Sequence, residues 1–199
     1  MKKMTRILRD LAAWRTLIKG AEAGWVAVFQ RGARMAGVLV INTGGTFNKR
    51  YDEISGALFV PTDESAIEAI VGEFRGNLDL RVLGLVHKDS LHMTADDRER
   101  IARAIAAAGE RKVLIVHGTD TMHLTAEHLE RGCPGRRIVL TGAMKPYAYD
   151  RQEAAVNLAL GVGWLMAADE AGVFIGMHGL VRPHAQIIKD RANGVFRAV

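Results

Sequence analysis

From Gly37 onward, short apolar runs rich in β-branched residues alternate with longer segments whose apolar positions recur every three or four residues. VLVINT over 38–43 reads as a buried strand, and so do LDLRVLGLV over 78–86, KVLIVH over 112–117, RIVLTG over 137–142 and GVFIGM over 172–177. Between them the spacing predicts helices over 64–75, from Thr94 to about Ala107, over 121–131 and from about Gln152 to Ala168. Thr62 or Asp63 can cap the first helix, and Thr94 with Asp97 three residues on approximates a capping box. Strands apolar on both faces, alternating with helices, predict a parallel sheet covered on both sides. The expected fold is a single Rossmann-like, three-layer α/β domain with a mostly parallel sheet.

Composition refines this picture little. A chain of 199 residues, 49% hydrophobic and 25% charged, is of ordinary globular make-up. No apolar run approaches the roughly 18 to 20 residues that span a bilayer. Cys133 is the sole cysteine, which rules out an internal disulfide or a thiolate zinc cluster and fits a cytoplasmic location. The net charge of +5 raises the question of nucleic acid, but its location answers it. Residues 1–36 carry Lys2, Lys3, Arg6, Arg9, Arg15, Lys19, Arg31 and Arg34 against Asp10 and Glu22, leaving 19 basic and 20 acidic side chains elsewhere. The body is near neutral, so neither a nucleic-acid nor a membrane partner is expected. Residues 1–36 are read as a basic N-terminal extension preceding a domain over 37–199. Either the extension is an amphipathic segment that touches a membrane or partner, or the native start is Met35; nothing else in the sequence needs residues 1–34.

In open α/β sheets the functional groups collect beyond the carboxyl ends of the strands. Those loops here are Thr43-Gly44-Gly45-Thr46, His87-Lys88-Asp89-Ser90, His117-Gly118-Thr119-Asp120-Thr121 and Thr141-Gly142-Ala143-Met144-Lys145. One rim therefore gathers glycines, hydroxyls, carboxylates and a lysine. Glycines let a backbone approach a ligand closely and free N–H groups to point at an oxyanion. The nucleotide cradles G-x-G-x-x-G and G-x-x-x-x-G-K-[ST] are both absent. A threonine hydroxyl needs a neighbouring base to become a nucleophile, and a neutral lysine relayed through an acid and a second hydroxyl can supply one. Thr46, Thr119, Asp120 and Lys145 are the types required. Taken singly, each threonine or aspartate is equally well a helix cap.

TGGT at 43–46, HGTDT at 117–121 and TGAMKP at 141–146, in that order and approximate spacing, resemble the signatures of the bacterial-type L-asparaginase family. The resemblance runs from about Val38 to about Phe196. It implies hydrolysis of the side-chain amide of L-asparagine to aspartate and ammonia through a threonine acyl-enzyme, without metal or organic cofactor. By position, Thr46 resembles the family nucleophile and Tyr51 the tyrosine of the mobile loop that follows. Thr119, Asp120 and Lys145 resemble the proton-handling triad, and Asp89 and Ser90 the pair that holds the substrate's α-amino and α-carboxylate groups. Backbone amides near Gly45 and Thr119 would stabilise the oxyanion, with Gly45 and Gly118 among the substrate-binding residues. A small zwitterion wants this mixture, a carboxylate for its ammonium and N–H or hydroxyl donors for its carboxylate.

Some features depart from the family pattern. The chain stops about where a linker to a second, smaller domain would begin, so it resembles a short, single-domain branch, and a homodimer or larger homo-oligomer is expected to close the pocket. His92 and His123 stand where acidic residues are expected. At the first turn of a helix a neutral imidazole suits His123 better than a cation. Tyr147 and Tyr149 read as a packed loop beneath the rim or as pocket lining, and Asn157, Lys189 and Arg191 as interface or surface residues. L-asparagine is the expected substrate, with weaker action on L-glutamine. Two other classes stay open: a non-catalytic asparagine- or aspartate-binding sensor, which has no need of a base, and an amidotransferase component, for which residues 1–36 are too few to supply the extra domains.

Overall fold

The computed structural model describes residues 37–199; the expectations for residues 1–36 lie outside them. Each predicted apolar run forms a strand: β1 Val38–Gly44, β4 Leu80–Lys88, β5 Lys112–Val116, β6 Arg137–Thr141 and β7 Gly172–Met177. They align in parallel, with β4 and β5 on either side of β1 and then β6 and β7. An antiparallel edge strand β8, Leu180–Pro183, completes a six-stranded sheet of order β4-β1-β5-β6-β7-β8.

Strand alternation divides the core in two. Leu39 and Ile41 face one side, with Ile101, Ile105, Leu129, Ile138 and Ile175. Val38 and Val40 face the other, with Ile67, Leu114, Leu158 and Val162. Helices α2 (Ala95–Ala107) and α3 (Met122–Gly132) therefore cover one face, while α1 (Ser65–Gly72) and α4 (Arg151–Ala167) cover the other. Each fully buried Leu or Ile stabilises this arrangement by about 1.5–3 kcal/mol.

Helix α2 begins in a full capping box. Thr94 Oγ1 accepts the Asp97 N–H at 3.2 Å while Asp97 Oδ2 accepts the Thr94 N–H at 2.8 Å. Helix α1 begins later and ends earlier than its spacing predicts. Asp63 does accept the Ser65 N–H at 3.1 Å, but its carboxylate is also held by Arg50.

Three antiparallel pieces fall outside the predicted pattern: the hairpin β2 Arg50–Asp52 with β3 Ala57–Phe59, strand β8, and the hairpin β9 Ile187–Asp190 with β10 Val195–Ala198. The β9–β10 hairpin folds back onto the sheet, and its Ile187 and Phe196 are buried beside Met122 and Ile175. Phe196 N–H donates to His178 Nδ1 at 3.1 Å and its ring meets the His178 ring edge-on. Chain order reverses at β1, so the gap between β1 and β5 is the sheet's switch point, where α/β folds bind ligands.

Candidate active site

The loop leaving β1 has both glycines in the left-handed region, Gly44 at φ 96° and Gly45 at φ 76°. Only glycine is at ease there, and space is lacking as well. A Cβ on Gly44 would lie 2.6 Å from the Lys88 backbone, and one on Gly45 would lie 2.4 Å from Gly118. A Cβ on Gly118 would in turn meet the Ser90 side chain at 2.6 Å. Gly45 thus packs backbone to backbone on Gly118, and Gly118 packs on the Ser90 side chain, which joins the loops after β1, β4 and β5 into one floor.

Thr46 follows at the head of a single 3-10 turn, Thr46–Asn48, and is half-buried. Its neighbour Phe47 points into the core, stacks on Tyr147 and accepts the Tyr147 N–H at 3.0 Å. Thr43, by contrast, is fully buried and donates to the Val116 carbonyl at 2.8 Å, a structural role. Tyr51 sits on β2 opposite Leu58 and is half-exposed, 53%. Ser90 is 1% exposed and its Oγ has no hydrogen-bond partner, while its carbonyl accepts from Thr121 Oγ1 at 2.8 Å. Asp89 accepts the Leu91 N–H at 3.0 Å and pairs with Lys49 at 2.5 Å. Burial pushes its pKa up, but the hydrogen bonds from Lys49 and the Leu91 N–H, with the Lys49 charge, outweigh that and hold it below the ordinary carboxylate value. An incoming ammonium group would have to replace Lys49.

Beyond β5, Thr119 is buried and Asp120 half-buried, and the cation that meets them comes from β9. Lys189 Nζ donates to Thr119 Oγ1 at 2.7 Å and to Asp120 Oδ1 at 2.9 Å. Arg191 adds a 2.7 Å bond to the same carboxylate oxygen and a 3.2 Å bond to the Asp120 carbonyl. Burial raises the Asp120 pKa, and the Lys189 and Arg191 bonds and charges more than reverse it, so the group is ionised.

Two expectations need correction here. Lys145 was expected beside Thr119 and Asp120. Instead its side chain is 67% exposed and donates to Asp150 Oδ2 at 3.0 Å. The cause is local: Glu153 takes the Met144 and Lys145 N–H groups at 2.8 and 3.1 Å, and Asp150 caps α4, so the lysine is drawn along the helix start. The Asp150 bond also raises the Lys145 pKa, the wrong direction for a base. Lys189, expected at an interface or on the surface, has a side chain only 15% exposed because the β9–β10 hairpin folds inward. An isolated late lysine carries no sequence signal of this, since its position is set by the return of the hairpin across the sheet.

The histidines divide by burial. His117 is fully buried, with Nδ1 2.7 Å from the Gly118 carbonyl and Nε2 2.8 Å from Thr125 Oγ1. Burial depresses its pKa to about 4, so the ring is neutral. Since a carbonyl only accepts, Nδ1 carries the proton and Nε2 accepts from Thr125. His92 is exposed. His123 is exposed and lines a cleft of about 380 Å³ together with Thr119, Asp120, Glu127, His184 and Lys189. Among the described residues no cluster of three His, Cys, Asp or Glu is arranged to hold a metal ion.

Residues 37–196 match the asparaginase N-terminal domain. The chain belongs to the asparaginase family. Among relatives in the family, a glutamyl-tRNA(Gln) amidotransferase subunit of Pyrococcus horikoshii is 30% identical over 147 residues, which is 71% of this chain and 33% of that protein. Its counterpart in Methanosarcina barkeri is 30% identical over 159 residues, 76% of this chain and 37% of the relative. The same fold occurs in the thermostable L-asparaginase from Thermococcus kodakarensis, with TM-score 0.70 and 23% identity over 82% of this chain and 51% of that one. It occurs too in the probable cytoplasmic L-asparaginase from Campylobacter jejuni, with TM-score 0.69 and 24% identity over 82% and 53% of the two chains. This asparaginase-family chain thus spans about a third of the two amidotransferase proteins and about half of the two asparaginase structures.

Proposed function

We propose that this asparaginase-family domain is an amidohydrolase that converts L-asparagine to L-aspartate and ammonia through an ester on Thr46. The observation that carries the reading is the Lys189–Thr119–Asp120 set, poised one glycine contact away from the Thr46 loop. In the first step Thr46 Oγ attacks the amide carbonyl carbon and its proton passes through the Thr119 hydroxyl to the Lys189–Asp120 pair. Backbone N–H groups at Gly118 and Thr119 stabilise the oxyanion. The C–N bond breaks as the amide nitrogen takes a proton back and leaves as ammonia. Water then attacks the Thr46 ester, and aspartate departs with the threonine hydroxyl restored. Asp120 orients Lys189 and offsets its charge. Ser90, with its unpartnered hydroxyl, and Asp89 hold the α-groups of the substrate, and Tyr51 closes over Thr46 from the β2–β3 hairpin.

Ammonia release from L-asparagine and L-glutamine, measured on wild type and Thr46→Ala, tests the reading. Asparagine turnover that Thr46→Ala abolishes is expected; turnover that persists in the variant would overturn Thr46 as nucleophile. A second reading draws on the amidotransferase relatives at 30% identity: the amide nitrogen is passed to a partner protein instead of being released. Slow release that accelerates only with such a partner would favour it. Stabilisation by asparagine without any turnover would favour a binding protein. We place the enzyme in the cytoplasm, as a homodimer or larger assembly. Support for the assembly is the apolar surface at Ile54 (98% exposed), Leu58 and Phe59 on the β2–β3 hairpin.

A further inference from the structure

Asn42, Asn48, Glu64 and His87 form a polar cluster beneath the Thr46 loop that the proton-transfer roles above do not use. Asn42 is fully buried at the end of β1, where a parallel strand ordinarily carries an apolar side chain. Its Oδ1 accepts the Gly44 N–H at 2.9 Å and Asn48 Nδ2 at 2.9 Å. Asn48 Nδ2 also reaches the Gly44 carbonyl at 2.9 Å. The two asparagines therefore bracket residues 43–47 from both ends.

Glu64 holds this bracket from outside. One carboxylate oxygen accepts from Asn42 Nδ2, and the other lies 2.7 Å from His87 Nε2. The carboxylate can only accept, so His87 donates from Nε2. His87 is one of the non-glycine residues in the left-handed region, at φ 55°. That turn aims the Lys88 carbonyl at the Gly45 N–H, 2.8 Å away, and leads on to Asp89 and Ser90. A single carboxylate is thus bonded to the chain just before Thr46 and to the chain just before Ser90. The strand makes room for it: a Cβ on Gly84 would lie 1.7 Å from Glu64 Oε1. The residues flanking Glu64 are gripped as well, Arg50 of β2 bonding both Asp63 and Ser65.

We propose that Glu64 is a positioning residue that sets the pose of the Thr46 loop against the Ser90 loop. The inference rests on the reading of Thr46 as nucleophile. A misplacement of about 1 Å costs on the order of 100-fold in rate, while substrate affinity is set by other groups. Glu64→Ala should therefore lower kcat for asparagine about 100-fold with KM within threefold of wild type. It should also speed amide hydrogen exchange in peptides 42–49 and 87–90 while leaving exchange elsewhere unchanged. Glu64→Gln keeps an acceptor for Asn42 and a donor for the other His87 tautomer, and should restore kcat to within about fivefold. Unchanged kcat and exchange in Glu64→Ala would overturn the proposal. So would equal losses in the Ala and Gln variants with exchange raised across the whole domain, the mark of general stabilisation. If Glu64→Ala does not fold, Glu64→Asp, whose shorter side chain cannot span Asn42 and His87, decides by the same two readouts. A wild type without turnover sinks the nucleophile reading instead, and exchange in 42–49 then still tells whether Glu64 orders the loop.

Discussion

At the scale of residues, the site depends on which cation reaches Thr119. Lys189 Nζ is 2.7 Å from that hydroxyl, and Lys145 is committed to Asp150. General acid–base groups contribute roughly 10² to 10⁴ in rate. Lys189→Met should accordingly lower kcat within that span, whereas Lys145→Met should leave it within about threefold, by steady-state ammonia release. Reversed effects would return the base to Lys145. His117 makes a prediction about pH. Its pKa is about 4 in the folded chain against an ordinary value of 6.5. The unfolded chain therefore binds the extra proton first, so stability is complete above pH 6.5 and declines as pH falls toward 4, by on the order of 3 kcal/mol. Melting temperature between pH 7.5 and 4.5 should fall in wild type and fall less steeply in His117→Gln.

Elements show how local chemistry becomes a site. The glycines after β1 and β5 exist because two loops touch with no room for a Cβ, a demand invisible within either loop. The β9–β10 hairpin is stranger: its strands are short and mostly exposed, yet it carries Lys189 into the site. Phe196, 6% exposed, is the anchor, packed in the core beside Ile187 and hydrogen-bonded through its backbone to His178. Phe196→Ala should cost about 3–5 kcal/mol in urea unfolding. Activity should fall further than stability alone accounts for, because the loosened hairpin takes Lys189 off Thr119. Full activity with fast exchange over 187–198 would show that the hairpin need not be docked for turnover.

For the whole molecule, the expected assembly follows from exposed apolar side chains on the β2–β3 hairpin, next to the Thr46 loop. Sedimentation at micromolar concentration should show a dimer or larger species; a fully active monomer would remove the proposal. Among the described residues no helix is long and apolar enough to cross a membrane. The alternation of apolar runs and amphipathic segments was enough to read the parallel sheet, its helices and the capping box at Thr94, because each of these is dictated by contacts close in sequence or by burial on two faces. The same holds for the three signature loops: they end strands, and strand ends share one rim. Lys189, the buried Asn42–Glu64–His87 cluster and the inward fold of β9–β10 were not legible, since they join residues 22 to 70 positions apart through contacts that exist only once the sheet has formed. Short-range periodicity specified where Thr46 and Thr119 stand; which lysine meets Thr119 was decided by the three-dimensional return of the β9–β10 hairpin across the sheet.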